Sequence, residues 1–119
     1  MSLDEYLALR NDQARAVAET TCAEIETPEA TAECLYASWV ARDYQLALTV
    51  ATPEVADYMF GSHPDDPGYF RDSELSACDR ERGRFSCAFM HGNTPDVFMS
   101  VDEEGGRYHV RGAFFAGTD

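Results

Sequence analysis

The sequence predicts an α+β fold, with helices in the first half packed on an antiparallel sheet of about four strands in the second. Three observations predict it. Apolar residues recur at helical spacing as far as about residue 60, they alternate at strand spacing after about residue 73, and glycine-bearing turns divide that second stretch into short segments. Helices and strands that are segregated along the chain, not alternated, favour antiparallel pairing with the helices on one sheet face. At 119 residues the chain reads as a single domain over 1–119, long enough to bury a core of its own.

Ser2 and Glu5 have capping-box spacing, so a first helix is expected from near Leu3. Leu3, Leu7, Arg10, Ala14, Val17, Ala18, Cys22 and Ile25 form its stripe to about Ile25, interrupted only by Arg10. Thr27-Pro28-Glu29 then supplies an N-cap, a proline at the first helical position and an acid in the first turn. The second helix carries Ala32, Leu35, Tyr36, Trp39 and Val40 on one face, with Cys34 beside it. Asp43 ends that helix and opens a short third one from Tyr44 to about Ala51. Thr52-Pro53-Glu54 repeats the start signal for a fourth, to about Phe60.

Residues 61–72 hold two prolines and two glycines and read as loop. Four strands are expected over 73–79, 84–91, 96–102 and 107–115, joined at Arg82-Gly83, Gly92-Asn93 and Gly105-Gly106. Phe85, Cys87 and Phe89 alternate on the second strand, Val97, Met99 and Val101 on the third, and Tyr108, Val110 and Phe114 on the fourth. The first strand disagrees, because Leu75 and Ala77 fall on the face opposite Cys78. A bulge or a one-residue slip would reconcile it.

A turn at Arg82-Gly83 sets Cys78 directly opposite Cys87, where cross-strand Cβ atoms come close enough for a cystine. Cys22 and Cys34 bracket the Thr27-Pro28 turn, so a first helix docked on the second brings them together. Two local disulfides are therefore expected, the hairpin loop alone contributing about 2–3 kcal/mol through loop-closure entropy. Their presence predicts an oxidising compartment, secreted or cell-envelope, with the cytoplasm as the alternative. No leader precedes them, and Met1-Ser2-Leu3 is read as a start replacing a removed one.

The formal charge is -13, from 22 acidic residues against nine basic ones, all arginine. Such a surface disfavours nucleic acid and anionic membrane as partners, since neutralising phosphate needs cations. Acidity of this kind serves solubility. No apolar run approaches membrane-spanning length.

The stretches ATAECLYASWVARDYQLA and TPEVADYMF, followed by the cysteine hairpin, resemble small domains of the nuclear-transport-factor-like (cystatin-like) superfamily, closest to short secreted or lipid-anchored versions from actinobacteria. The likeness runs from about Ala30 to Phe115 and rests on Leu35, Tyr36, Trp39, Asp43, Thr52-Pro53, Cys78 and Cys87, taken in that order. It implies a cone: a curved sheet wrapped around a long helix, with a pocket at the open end. Residues 1–27, an extra N-terminal helix, depart from that pattern and are expected to plug or cover the pocket. Residues 28–60 then supply the helices and 73–115 the sheet. The superfamily holds isomerases, cyclases, dehydratases, binding modules and partner domains, so the resemblance does not select a function.

Tyr36, Trp39 and Phe89 are the ligand-pocket candidates, with the Tyr36 hydroxyl as a donor and, for an enzyme, a candidate catalytic group beside Asp43, His91 and His109; the structural reading makes them core aromatics. Asp43 reads as a helix cap, and as a general base only if it faces the cone, the role a carboxylate takes in isomerases of the superfamily. His91 and His109 could relay protons if both faced the cone. His63 with Asp65, Asp66 and Asp72 has no calcium-loop spacing and reads as solvated loop, so no metal is expected. Arg80, Arg82 and Arg84 alternate at the hairpin tip and could grip an anion, or stand as exposed charges. The cysteine gaps fit neither a redox C-x-x-C nor a common zinc spacing. No cofactor is expected.

Two functions follow. The leading one is a secreted or envelope domain that binds a small apolar ligand or a protein partner without catalysis. The alternative is a small isomerase- or cyclase-type enzyme using a carboxylate or histidine in the cone. A homodimer associating sheet to sheet is a third reading.

Overall fold

The structure, a computed structural model, describes residues 3–23, 25–62 and 73–116, with side chains given for 12–23, 25–61 and 73–116. Helices α1 (Leu3–Thr21), α2 (Pro28–Val40), α3 (Tyr44–Ala47) and α4 (Pro53–Ser62) precede strands β1 (Glu74–Glu81), β2 (Arg84–His91), β3 (Thr94–Glu104) and β4 (Arg107–Phe115). The strands pair in sequence order as one antiparallel sheet. The α+β architecture is as the sequence predicts.

Helix starts follow the capping logic. Thr27 Oγ1 accepts from Ala30 N at 3.0 Å, with Pro28 in the first turn of α2. Thr52 Oγ1 does the same for Val55 N at 3.3 Å ahead of α4, and Asp43 Oδ1 accepts from Leu46 N at 3.1 Å to cap α3. Helix α3 ends at Ala47, earlier than expected, because the chain beyond it turns to pair with the sheet. Val110 N donates to Val50 O at 2.7 Å and Thr52 N to Val110 O at 3.2 Å, occupying the free edge of β4.

Helix α1 also stops short of Ile25, at Thr21, whose hydroxyl donates back to Val17 O at 2.7 Å. Val17, assigned to the buried stripe, is 58% exposed, whereas Ala18 is fully buried. The reason is that α1 leans on α2 alone of the larger elements, so its contact strip is narrow. Helix α2 departs from its one-faced pattern the other way. Pro28, Thr31, Ala32, Cys34, Leu35, Tyr36, Ser38, Trp39 and Val40 are all buried, because α1 covers one side and the sheet the other. The order of layers is thus α1, α2, sheet.

Arg82 (φ 53°) and Gly83 (φ 82°) form the left-handed two-residue turn that matches the twist of a hairpin. It sets Cys78 opposite Cys87. A bulge at Ser76 resolves the conflict in β1: Leu75 pairs with Phe89 and returns to the face of Cys78, while Ala77 pairs with Ala88 on the other. Both predicted disulfides are present, Cys22–Cys34 and Cys78–Cys87, and no described cysteine is free. Among the described residues no helix is long and apolar enough to cross a membrane.

The core lies between α2 and the inner sheet face, around Trp39, Phe89, Phe115, Leu35, Met59 and Met99. The outer face carries Ala88, Phe98, Ser100 and Phe114, bordered by Arg84 and Arg111 paired with Asp102 at 3.3 and 3.4 Å.

Candidate functional site

One inner row crosses all four strands: Leu75 opposite Phe89, Phe89 opposite Val97, and Val97 opposite Phe115. Helix α2 lays two aromatics over it. Trp39 sits against Phe115 with ring centroids 5.2 Å apart, and Tyr36 stacks on Phe89 at 4.6 Å with 10° between the planes. The Phe115 end is then closed by α4. Tyr58 stacks on Phe115 at 5.6 Å and its oxygen accepts from Phe115 N at 3.0 Å, while Trp39 Nε1 donates to Met59 O at 3.0 Å.

The Leu75 end holds a cleft of about 430 Å³, lined by Thr21, Glu33, Tyr36, Ala37, Ser73, Glu74, Leu75 and Phe89. That volume is within the range of small-ligand sites, roughly 300–1,000 Å³. Its walls come from the end of α1, one side of α2, the start of β1 and the middle of β2. The tyrosine–phenylalanine stack and Leu75 give it an apolar wall; two exposed carboxylates and two hydroxyls give it a polar one. A second hollow of about 510 Å³ beside the Gly92–Asn93 turn is larger but has no aromatic wall, being lined by Glu74, Leu75, Ser76, Met90, Gly92 and Asn93.

Beneath the cleft, Ser73 Oγ donates to Asp96 Oδ2. Both residues are buried, Asp96 with 2% of its surface exposed, and the Asp96 carbonyl also accepts from Ala116 N at 2.8 Å. The pair therefore ties the start of β1 to β3 and the end of β4. Sequence reasoning missed it because alternation from Val97, Met99 and Val101 puts Asp96 on the outer face. An irregularity between Phe89 and Met90, where Met90 pairs with Pro95 and Phe89 with Val97, leaves Asp96 as the extra residue. Pro95 is the one local signal, since proline inside a strand marks an edge or a bulge.

The remaining candidates are dispersed. Trp39 is fully buried and packs the closed end instead of lining the cleft. Asp43 caps α3, the position read for it as a structural residue. His91 is exposed beside the Gly92–Asn93 turn. His109 pairs across the ladder with Asp102, on the row of Arg84, which places it on the outer face at the opposite end of the strands. The two described histidines do not converge, and neither lines the cleft. His63, Asp65, Asp66 and Asp72 lie outside the described residues; among those described, no three His, Cys, Asp or Glu side chains are grouped as a metal site needs. Arg80 and Arg84 do not share a face: the Arg80 guanidinium lies 6.0 Å from the centre of the inward Phe85 ring, whereas Arg84 bonds Asp102 outside. An anion grip at the hairpin tip has no such geometry.

Two tyrosines have phenol pKa values raised above the ordinary value. For Tyr44 the main cause is its hydrogen bond to Asp57, and for Tyr108 its hydrogen bond to Glu103, each helped by partial burial and by the carboxylate's charge. Neither lines the cleft. Comparison with known protein families, with curated proteins and with solved structures finds no match.

Proposed function

We propose that this is a non-catalytic ligand-binding domain of the nuclear-transport-factor-like type, working in a secreted or cell-envelope setting, and that its site is the cleft at the Leu75 end of the inner row. The observation that carries this reading is the Tyr36–Phe89 stack forming one wall of a cleft sized for a small molecule. The resemblance of the helical and hairpin segments implies a pocket at the open end of a cone, and the two disulfides support the compartment. The end of α1 contributes Thr21 to the rim, so the extra helix borders the cleft. Catalysis is the weaker reading because, of the candidates Tyr36, Asp43, His91 and His109, only Tyr36 lines the cleft, with its hydroxyl buried, and the buried Asp96 is turned onto Ser73.

The test uses a neutral apolar fluorophore, N-phenylnaphthylamine, titrated into the oxidised protein. Saturable binding that Ala37→Trp abolishes supports the reading, since Ala37 lines the cleft and a large ring there fills it. Binding that is absent, or indifferent to Ala37→Trp, overturns it.

A second reading is favoured by one observation on the opposite side of the sheet. Phe114 is 59% exposed and stacks on Phe98 at 6.1 Å, a surface suited to a second copy of the chain. Native mass spectrometry of the protein and of Phe114→Glu checks it: a dimer lost in the variant supports sheet-to-sheet association, and a monomer in both removes it.

A further inference from the structure

The hydrogen-bond inventory of the cleft determines what kind of molecule suits it. Among the described residues its polar lining is Thr21, Ser73, Glu33 and Glu74, while the Tyr36 hydroxyl is buried away from the open space and only the ring faces it. A hydroxyl has a single proton to give, and both are already given: Thr21 Oγ1 donates to Val17 O at 2.7 Å, and Ser73 Oγ donates to Asp96 Oδ2. What these two oxygens offer the cleft is therefore lone pairs. Glu33 and Glu74 are exposed carboxylates that only accept when ionised. No arginine is among the described lining residues, and the chain as a whole carries -13. The apolar side is an aromatic stack, Tyr36 on Phe89, with Leu75 and Ala37 beside it.

We propose that the cleft takes cationic amphiphiles: a protonated amine carrying an aromatic or aliphatic body, the body against Tyr36, Phe89 and Leu75 and the ammonium toward Glu33 and Glu74. This rests on the cleft being the binding site. An ammonium brings three donors and no acceptor, the complement of a wall that offers acceptors. A carboxylate-bearing ligand of the same shape would meet like charge and oxygens with no proton to share. A neutral alcohol can donate once, without the Coulombic part. Charge-assisted hydrogen bonds exceed neutral ones in net worth, and the difference corresponds to about tenfold in affinity. The long-range field of an acidic chain adds to the association rate of a cation and is screened by salt.

The experiment is a calorimetric titration of the intact, oxidised chain at neutral pH with three probes of one shape: phenylbutylamine, phenylbutanol and phenylbutyrate. The amine is expected to bind about tenfold more tightly than the alcohol and the carboxylate most weakly. In Glu33→Gln/Glu74→Gln, which alters two exposed side chains, the amine's advantage over the alcohol is expected to vanish. Raised salt should weaken the amine alone. Equal binding of amine and alcohol, a preference for the carboxylate, or an amine preference that survives the double variant overturns the inference and leaves the cleft as a binding site. Binding of none of the three, with N-phenylnaphthylamine also excluded, overturns the cleft reading and this inference with it.

Discussion

The two ends of the Leu75–Phe89–Val97–Phe115 row are built from the same kinds of residue and finish differently. At the Phe115 end, Trp39 and Tyr58 pack on the ring, and both polar tips bond α4 or β4 backbone. At the Leu75 end, Tyr36 packs on Phe89 just as closely, yet the space beyond it is a cleft. Tyr36 and Trp39 are three positions apart on one helix. The difference comes from what lies over the sheet edge: α4 packs on β4, whereas β1 meets the cleft. A pair of aromatics at helical spacing therefore signals that a helix covers a sheet, and the neighbouring elements decide which of the two is core.

The largest expected effect tests the closed end. Trp39→Ala removes a fully buried ring and the bond to Met59 O, and should destabilise the fold by about 3–5 kcal/mol in denaturant melts. A cost near 1 kcal/mol would mean that the closed end tolerates a cavity as the open end does, and the comparison would fail.

The disulfides come next. Removing Cys22–Cys34, twelve positions apart, with a double alanine variant should cost about 3 kcal/mol, in line with loop-closure entropy. It should also lower hydrogen-exchange protection in α1, which leans on α2 and gains little elsewhere, and loosen the cleft rim at Thr21. The matching Cys78/Cys87 variant should leave the cleft unchanged, since the Arg82–Gly83 turn and the β1–β2 ladder already hold that register. Equal loss of α1 protection in both variants would show that the bridges do not act locally.

The contrast in legibility has the same physical root. Capped helix starts, the glycine turns and the cysteine register are local features, written in adjacent residues such as Thr27-Pro28, Arg82-Gly83 and the Cys78/Cys87 spacing, and the structure contains each of them. The resemblance-based cone could name Tyr36 and Phe89, which do line the cleft, together with Trp39, which does not. Thr21, Glu33, Ser73 and Asp96 were not legible. Their placement depends on the angle at which α1 meets α2 and on bulges at Ser76 and Asp96, each of which reverses the face that simple alternation assigns.

A paired substitution separates a structural carboxylate from a cleft residue at similar cost. Asp43→Ala should lose about 0.5–2 kcal/mol, the worth of an N-cap, and leave N-phenylnaphthylamine binding intact. Leu75→Ala should lose roughly 1 kcal/mol, because half-buried apolar surface contributes less than buried surface, yet weaken the probe severalfold. If Asp43→Ala weakened binding instead, the site would extend toward α3 and the two ends of the row would not be independent.

The smallest effect is a titration that ought to ignore the cleft. Tyr44, T-shaped against Phe60 at 5.5 Å, donates its phenol to Asp57 Oδ1 at 2.6 Å, and ionising it would set a phenolate beside a carboxylate. Its pKa is therefore raised, chiefly by that hydrogen bond. The folded state holds this proton more tightly than the unfolded chain. The contribution to stability is thus present below the unfolded phenol value of about 10 and is lost as pH rises through the folded one. Asp57→Asn should bring the ultraviolet titration midpoint of Tyr44 down toward the ordinary value and flatten the alkaline loss of stability. Because Tyr44 and Asp57 belong to α3 and α4, at the closed end, saturating the cleft with phenylbutylamine should leave that midpoint where it is. A ligand-induced shift would mean that occupancy at Leu75 is felt through Tyr36 and Trp39 at α4, making α2 a connection between the two ends and not a partition.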